Sequence, residues 1–491
     1  MSKADNHMVH VPGNDVAGPP DKHGHADDIC DRHTSITGFV ARDGSVLSLR
    51  RRSSLGSAHA GHSSWLTAAG HLITAIIGAG VLGLPASLAW LGWVGGIVAL
   101  VFFFAVSLWA ALMLTDVYMV NGRRHTRYKY AVYWIMGARH STILSIAQHA
   151  NMILTTIGYQ IAAADSMSYI AKRVCLARGM PAGSCFTDQM MMTIIFGGVQ
   201  IIMSQLPNLE AAWWASAIGA IMSLGYSIIA IALGASEAHN GLGSLAGKPA
   251  APADKMFGCF NALGNFGFAY SCAIVLMEVQ DTLREPPAAS KSMKKTVPTA
   301  LTTTFILYLA VSVCGYAALG DAVPSSIVLG FDSAPIWVTL LANFMVLIHM
   351  VPAFQVYAQP VFATAEDVML RLAPKVDNFA GKEWLVRLGY RSLYVVVTTV
   401  IACALPFFSA FVGLVGLVGA LTFWPTAIYY PIAMFKAVYK PTGPKLWAMN
   451  AANIIMCVVA VLATIGSVET IIASASHFKP FAGTGSGAHG R

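Results

Sequence analysis

Four ionisable side chains, Asp116, Asp165, Glu278 and His349, lie in or at the ends of long apolar stretches of this chain. An ionisable group at membrane depth is expensive and marks an ion or proton pathway by default. A His also titrates near physiological pH, so His349, near the middle of its stretch, suits reversible proton binding. Each has a plainer alternative. A neutral His349 bonded to a carbonyl would only join helices, Asp116 could anchor a helix end, and Glu278, like Asp281, could pair with Arg284 and Lys294 on a solvated end. The sequence does not rank the four.

A second chemistry comes from the main chain. The run HLITAIIGAGVLGLPASLAWLGW, from His71 to Trp93, is interrupted by Gly78, Gly80, Gly83 and Pro85. It lies within 63 consecutive residues, Ser53 to Thr115, that contain no Lys, Arg, Asp or Glu. In lipid every backbone N–H and C=O needs a partner, so a broken helix survives only where it is buried or lines a cavity. Backbone exposed in this way can bind a ligand, and transporters place discontinuous helices at their substrate sites. Close packing between helices is the other use of such small residues. The break recurs at Gly258, Gly264 and Gly267, in GCFNALGNFGFAYS, five spans later. Paired breaks at equivalent places in two halves point to an inverted-repeat transporter.

The elements that must position these groups are membrane helices. The 491 residues are 56% hydrophobic and only 11% charged, the composition of a polytopic membrane protein. Spans are expected at 67–90, 93–118, 146–172, 190–206, 210–235, 258–278, 297–319, 335–362, 391–407, 410–435 and 447–473, eleven in all, the short hairpin near Phe407–Ala410 being the weakest separation. The expected organisation is a polar, disordered tail over 1–64, a transmembrane domain over 65–475 and a short polar tail over 476–491. The domain divides into a first repeat at about 67–235, a second at about 258–435 and an extra helix at 447–473. With the N-terminus in the cytoplasm, 24 of the 31 basic residues fall in cytoplasmic segments, which satisfies the positive-inside tendency and leaves the C-terminus extracellular. The net charge of +8 is therefore a topology signal and not a sign of nucleic acid binding.

The third span, AQHANMILTTIGYQIAAADSM, carries Gln148, His149, Asn151 and Asp165, polar groups that either join helices or meet a substrate. Cys175 and Cys185 bracket the polar loop that follows, on the outer face, where a disulfide is plausible. The Trp424-Pro425 and Tyr430-Pro431 steps bend the tenth span, which reads as scaffold. Seven of the fifteen His lie in the N-terminal tail, irregularly spaced, so no metal site is expected, nor any cofactor. An enzyme is disfavoured because no HExxH, His-box or GxSxG pattern occurs in the spans. A channel is disfavoured by the lack of a repeated filter loop or charged ring.

Four runs carry a resemblance: HLITAIIGAGVLGLPASLAWLGW, SQLPNLEAAWWASAIGAIMSLGYS, MEVQDTLREPPAASKSMKKTV and GLVGALTFWPTAIYYPIAMF. Together they resemble the plant-type amino acid permeases of the amino acid/auxin permease family, within the amino acid–polyamine–organocation superfamily. GAGVLGLP is nearer the lysine/histidine-type and neurotransmitter-type branches, QDTLREPP and FWPTAIYYPI nearer the general permease branch. Asp165 falls where plant permeases carry a small or hydroxyl residue. The resemblance implies an all-α integral membrane protein with a five-plus-five inverted repeat and discontinuous first and sixth helices. It implies proton-coupled symport of amino acids into the cell across the plasma membrane. Auxin influx, or amino acid export from the vacuole, are the alternatives within the family. The implied partners are an amino acid, a proton and the lipid bilayer. Substrate-binding positions carry over onto Gly78, Ala79, Gly80 and Val81, and onto Phe268, Ala269, Tyr270 and Ser271, with Phe268 and Tyr270 as aromatic gates; Asn151 joins them from the third span.

Overall fold

A computed structural model describes residues 61, 63–205, 213–240, 243–372, 383–404 and 411–476. Both expected tails, apart from residues 61, 63, 64 and 476, lie outside the described residues, as does the expected separation near Phe407–Ala410.

The helices are α1 (Trp65–Ile76), α2 (Leu84–Asp116), α3 (Tyr128–Met136), α4 (Ala138–Ala177), α5 (Gln189–Met203), α6 (Trp213–Glu237), α7 (Pro252–Ala269), α8 (Ala273–Asp281), α9 (Ala289–Leu319), α10 (Ile336–Leu372), α11 (Glu383–Ala404), α12 (Phe411–Phe423), α13 (Tyr430–Tyr439) and α14 (Gly443–Ser476). The protein is an all-α integral membrane protein. Among the described residues eight helical segments are long and apolar enough to span a bilayer. The remaining expected spans fall on α1 and α5, apolar but of only 12 and 15 residues, and on α4, which is 40 residues long but interrupted by polar side chains. A single pair of two-residue strands, Met119–Val120 and Arg123–Arg124, forms a hairpin after α2.

Where spans break, the local residues dictate it. Inside α2, Gly92 has φ +73°, a left-handed value that L side chains avoid, and it turns the chain from the second half of the first expected span into the second span. Between α12 and α13 the Trp424–Tyr429 segment, with Pro425 at its start, winds as a π-helix, which is the bend the prolines led one to expect.

Packing follows small residues and polar pairs. Gly264 of α7 and Gly419 of α12 let the two backbones meet; a Cβ on either would run into the main chain of the other helix. Polar side chains then fasten α4 to the surrounding helices. Asn151 Nδ2 donates to Thr422 Oγ1 at 2.8 Å, Gln160 Nε2 to Thr398 Oγ1 at 3.0 Å, and His149 Nε2 meets Thr364 Oγ1 at 2.9 Å. Cys175, in the last turn of α4, and Cys185, in the loop that follows, are joined by a disulfide, their Cα atoms 5.7 Å apart.

One end of the bundle is tied by charge and by main-chain bonds. Arg124 lies 3.1 Å from Glu285 and 3.9 Å from Asp281, and Tyr118 donates to Asp281 at 2.6 Å. Lys294, one of the partners expected for Asp281, pairs with Asp116 at 2.6 Å. Ser63 pairs with the chain after α8, its N–H donating to Thr282 O at 3.0 Å and its carbonyl accepting from Arg284 N–H at 3.1 Å. The last residues of the expected tail are thus held at the point where α8 ends.

Candidate functional site

The first break runs from Ile77 to Gly83. α1 stops at Ile77, Gly78 is extended at φ −118° and ψ −156°, and a 3-10 turn over Ala79–Gly83 leads into Leu84 and Pro85 of α2. The first N–H groups of this turn, on Ala79 and Gly80, have no preceding helical carbonyl to bond. The second break lies between Ala269 and Ala273, at the end of the run named from sequence; Gly258, Gly264 and Gly267, where the interruption was expected, are all inside α7. The N–H of Ser271 returns to Phe268 O at 3.1 Å and that of Cys272 to Tyr270 O at 2.8 Å, closing short turns in place of helix.

The two breaks meet at one small cavity of about 30 Å³. Gly78 and Gly80 line it from the first break, Phe268, Ala269, Ser271 and Cys272 from the second, and Asn151 and Tyr159 from α4. Tyr357 of α10 completes the wall, and none of the residues around the cavity is charged. Gly80 sits under the Phe268 ring: a Cβ there would lie 3.1 and 3.2 Å from Phe268 Cδ1 and Cε1. Asn151 spends its Nδ2 on Thr422, so its Oδ1 remains as an acceptor. Tyr159 and Tyr357 meet edge to face at 5.6 Å.

Of the residues named from sequence, Gly78, Gly80, Asn151, Phe268, Ala269 and Ser271 come together here. Ala79 supplies main chain beside them. Val81 and Tyr270 do not reach the cavity. Val81 is fully buried in the hydrophobic core. Tyr270, two residues beyond Phe268 and so about 200° further round a helix, is fully buried and packs against Tyr308 at 5.6 Å. A gating role for Tyr270 over a bound molecule is thereby corrected; Phe268 alone of the pair borders the space.

The four ionisable candidates are dispersed. Asp116 is held by Lys294 at the end of α2. Asp165 accepts from Gln189 Nε2 at 2.6 Å, and Gln189 in turn accepts from Ser168 at 3.1 Å, near the disulfide end of α4. Glu278 is exposed on α8. His349 is buried in α10 and donates from Nδ1 to Gly219 O at 2.8 Å, while its Nε2 has no partner among the described residues. Its ring meets the edge of Tyr226 at 5.8 Å, and the Tyr226 hydroxyl donates to Gly78 O at 3.1 Å.

Apart from Tyr270, the tyrosines around the breaks (Tyr159, Tyr226, Tyr308 and Tyr357) were not singled out from sequence. A signal was present for two: Tyr159 follows Asn151 and Tyr357 follows His349 by eight residues, about two helical turns. For Tyr226 and Tyr308 the only cue is a phenol within a span, whose hydroxyl must find an acceptor.

Residues 61–473 match the family described as transmembrane amino acid transporter protein. Amino acid permease 2 of Arabidopsis thaliana is 36% identical over 448 residues, covering 85% of this chain and 90% of that protein. Amino acid permease 1 of the same plant is 34% identical, covering 85% and 91%, and lysine histidine transporter-like 1 is 28% identical, covering 86% and 91%. Among solved structures, inward-facing Mhp1 overlays with a TM-score of 0.48 at 13% identity, covering 87% of this chain and 96% of that one. MhsT in complex with L-phenylalanine overlays at 0.49 and 15%, covering 83% and 100%. Likenesses this remote bear on neither substrate nor coupling. The extent and identity of the sequence matches decide the question: the chain belongs to the transmembrane amino acid transporter family, among its plant-type amino acid permeases.

Proposed function

We propose that this protein is a proton-coupled symporter that carries amino acids into the cell by alternating access, its two five-helix repeats moving around the breaks. The observation that supports this reading is the meeting of both interrupted helices at one uncharged cavity. A zwitterion presents a carboxylate and an ammonium a few ångströms apart. The carboxylate suits the unpaired N–H groups of Ala79 and Gly80, where the turn runs on into α2 and the helix dipole adds partial positive charge. The ammonium suits the Asn151 Oδ1, the Ser271 hydroxyl and the carbonyl of Ala269, with Phe268, Tyr159 and Tyr357 offering ring faces. Because no lining residue is charged, amino acids with uncharged side chains fit best: a third charge would be desolvated without a partner.

Asp116, Asp165, Glu278 and His349 remain the candidates for the proton, and placement favours His349. One side chain, Tyr226, lies between it and the main chain of the first break. The plasma membrane, with the N-terminus cytoplasmic, is the location this reading assigns, on the distribution of basic residues.

Reconstituted protein tests the proposal. Uptake of radiolabelled amino acid into proteoliposomes should saturate, show counterflow, and accelerate under an inward proton gradient. Uptake that ignores the gradient removes the coupling, and preferential uptake of indole-acetic acid removes the substrate class.

A further inference from the structure

Carbonyls freed by an unwound helix, and the negative ends of half-helices, hold the coupling cation in transporters built on broken helices. Three such carbonyls border the breaks here: Ile76 at the end of α1, Gly78 within the first break, and Ala269 at the end of α7. Each faces a phenol. The Tyr308 hydroxyl, from α9, donates to Ile76 O at 2.8 Å and lies 3.3 Å from Ala269 O. The Tyr226 hydroxyl, from α6, donates to Gly78 O at 3.1 Å. Both tyrosines are fully buried, and Tyr308 is braced edge to face by Tyr270.

A carbonyl oxygen has two lone pairs. At Ile76 O one accepts from Gly78 N–H at 2.9 Å, and at Gly78 O one accepts from Val81 N–H at 3.4 Å. The phenols take the second lone pair, the one a cation would use. A hydroxyl proton aimed at a carbonyl supplies the same sign of partial charge as a metal ion. Unlike an ion, it is tethered to a scaffold helix and does not travel with the substrate. Tyr308 also reaches both broken helices from one atom, so it fixes their separation.

We propose that the Tyr308 and Tyr226 hydroxyls stand in for a metal cation where the two broken helices meet, with Tyr308 as the positioning residue that renders amino acid binding indifferent to sodium and potassium. The inference deepens the symport reading and rests on it. Removing the Tyr308 oxygen should leave a gap the size of one oxygen between Ile76 O and Ala269 O, lined by acceptors only. A small alkali cation has ligands there.

The test uses the full-length protein in proteoliposomes under one fixed inward proton gradient, with sodium, potassium or choline chloride outside. Wild-type uptake should be the same in all three salts. Tyr308→Phe keeps the ring and its packing, so in choline its KM should rise about tenfold, the scale of one buried acceptor losing its donor. Sodium should lower that KM again in the variant and not in the wild type, a response that lost packing alone would not produce. Wild-type uptake that requires sodium overturns the proposal, as does a Tyr308→Phe protein with unchanged KM or with a raised KM that no cation moves. If Tyr308→Phe fails to reach the membrane, Tyr226→Phe, which gives up the longer bond, takes the same measurement with the same outcomes deciding. A wild type indifferent both to cations and to the proton gradient would remove the symport reading and leave the role of the hydroxyls standing.

Discussion

Gly80 is the position where a single added carbon reports on the whole arrangement. A Cβ there would lie 3.1 and 3.2 Å from two atoms of the Phe268 ring and 3.7 Å from Ala269 Cα. Carbon atoms pack comfortably at about 3.5–4.0 Å, so the ring has to give by a few tenths of an ångström while the backbone stays. Phe268 is only half-buried and borders the cavity, so the ring can yield by swinging into the space an amino acid would occupy. Overpacking of this kind costs about 1–3 kcal/mol, and one methyl against a movable ring belongs at the low end. Gly80→Ala should therefore raise the KM for uptake about five- to tenfold and leave the protein folded. Gly80→Leu pushes a branched side chain into the same place and should abolish uptake with normal delivery to the membrane. Phe268→Ala removes the clashing atoms, so the Gly80→Ala, Phe268→Ala double variant should transport better than the product of the single effects implies, a coupling of about 1 kcal/mol. The measurements are initial uptake rates in proteoliposomes and monodispersity of the purified variants. Wild-type uptake by Gly80→Leu, or single effects that simply multiply, would refute the contact between the breaks as a determinant of binding.

His349→Gln preserves a donor for Gly219 O but cannot titrate; amino acid exchange should persist while stimulation by a proton gradient disappears, and retained stimulation would exclude His349. Asn151→Asp puts a carboxylate into a cavity without charge, so a competition panel should shift toward lysine and arginine; an unchanged panel would place Asn151 outside the site. His125, buried in the loop after α2, is held below its ordinary value of 6.5, first by burial and then by the positive charge of Arg123. The unfolded imidazole takes up a proton that the folded one refuses, so this residue contributes nothing above about pH 6.5 and lowers stability as pH falls toward its folded value. His125→Asn should lose less of its Tm than the wild type between about pH 7.5 and about pH 5; equal losses would show that the ring is not buried neutral.

The first break was legible because its cause is local. Gly78 is extended where α1 ends and Pro85 opens α2, so the first break lies where the sequence placed it; the glycines Gly258, Gly264 and Gly267 instead continue α7 and serve its close packing, and the second break follows them at Tyr270–Cys272. The spans were legible from apolar length, and the expected 146–172 and 190–206 fall on α4 and α5 although α4 carries Gln148, His149, Asn151 and Asp165 and α5 is short. What sequence could not supply is the identity of the partners. Lys294 lies far closer in sequence to Asp281 than to Asp116, yet the folded packing gives it Asp116. The carboxylate Asp281 goes instead to Arg124, more than a hundred residues away. In the same way Phe268 and Tyr270 look equivalent as neighbouring aromatics, yet the turn of the helix sends one to the cavity and the other into the core.

An uncharged cavity also constrains where coupling can reside. Its wall holds no carboxylate or imidazole, so the proposed proton coupling would need a titratable group outside it that acts on the groups holding the zwitterion. Asp116 is committed to Lys294 and Asp165 to Gln189, and neither pairing touches a break. The path through His349 is shorter: its ring meets Tyr226 at 5.8 Å, and Tyr226 holds Gly78 O at 3.1 Å. With Nδ1 already donating to Gly219 O, a proton added at His349 goes to Nε2 and creates a buried donor that needs an acceptor. Leaving it unpaired is costly. The ring it meets is that of Tyr226, whose hydroxyl braces Gly78 O, so in the proposed symport a proton on His349 would act on the first break through the placement of Tyr226.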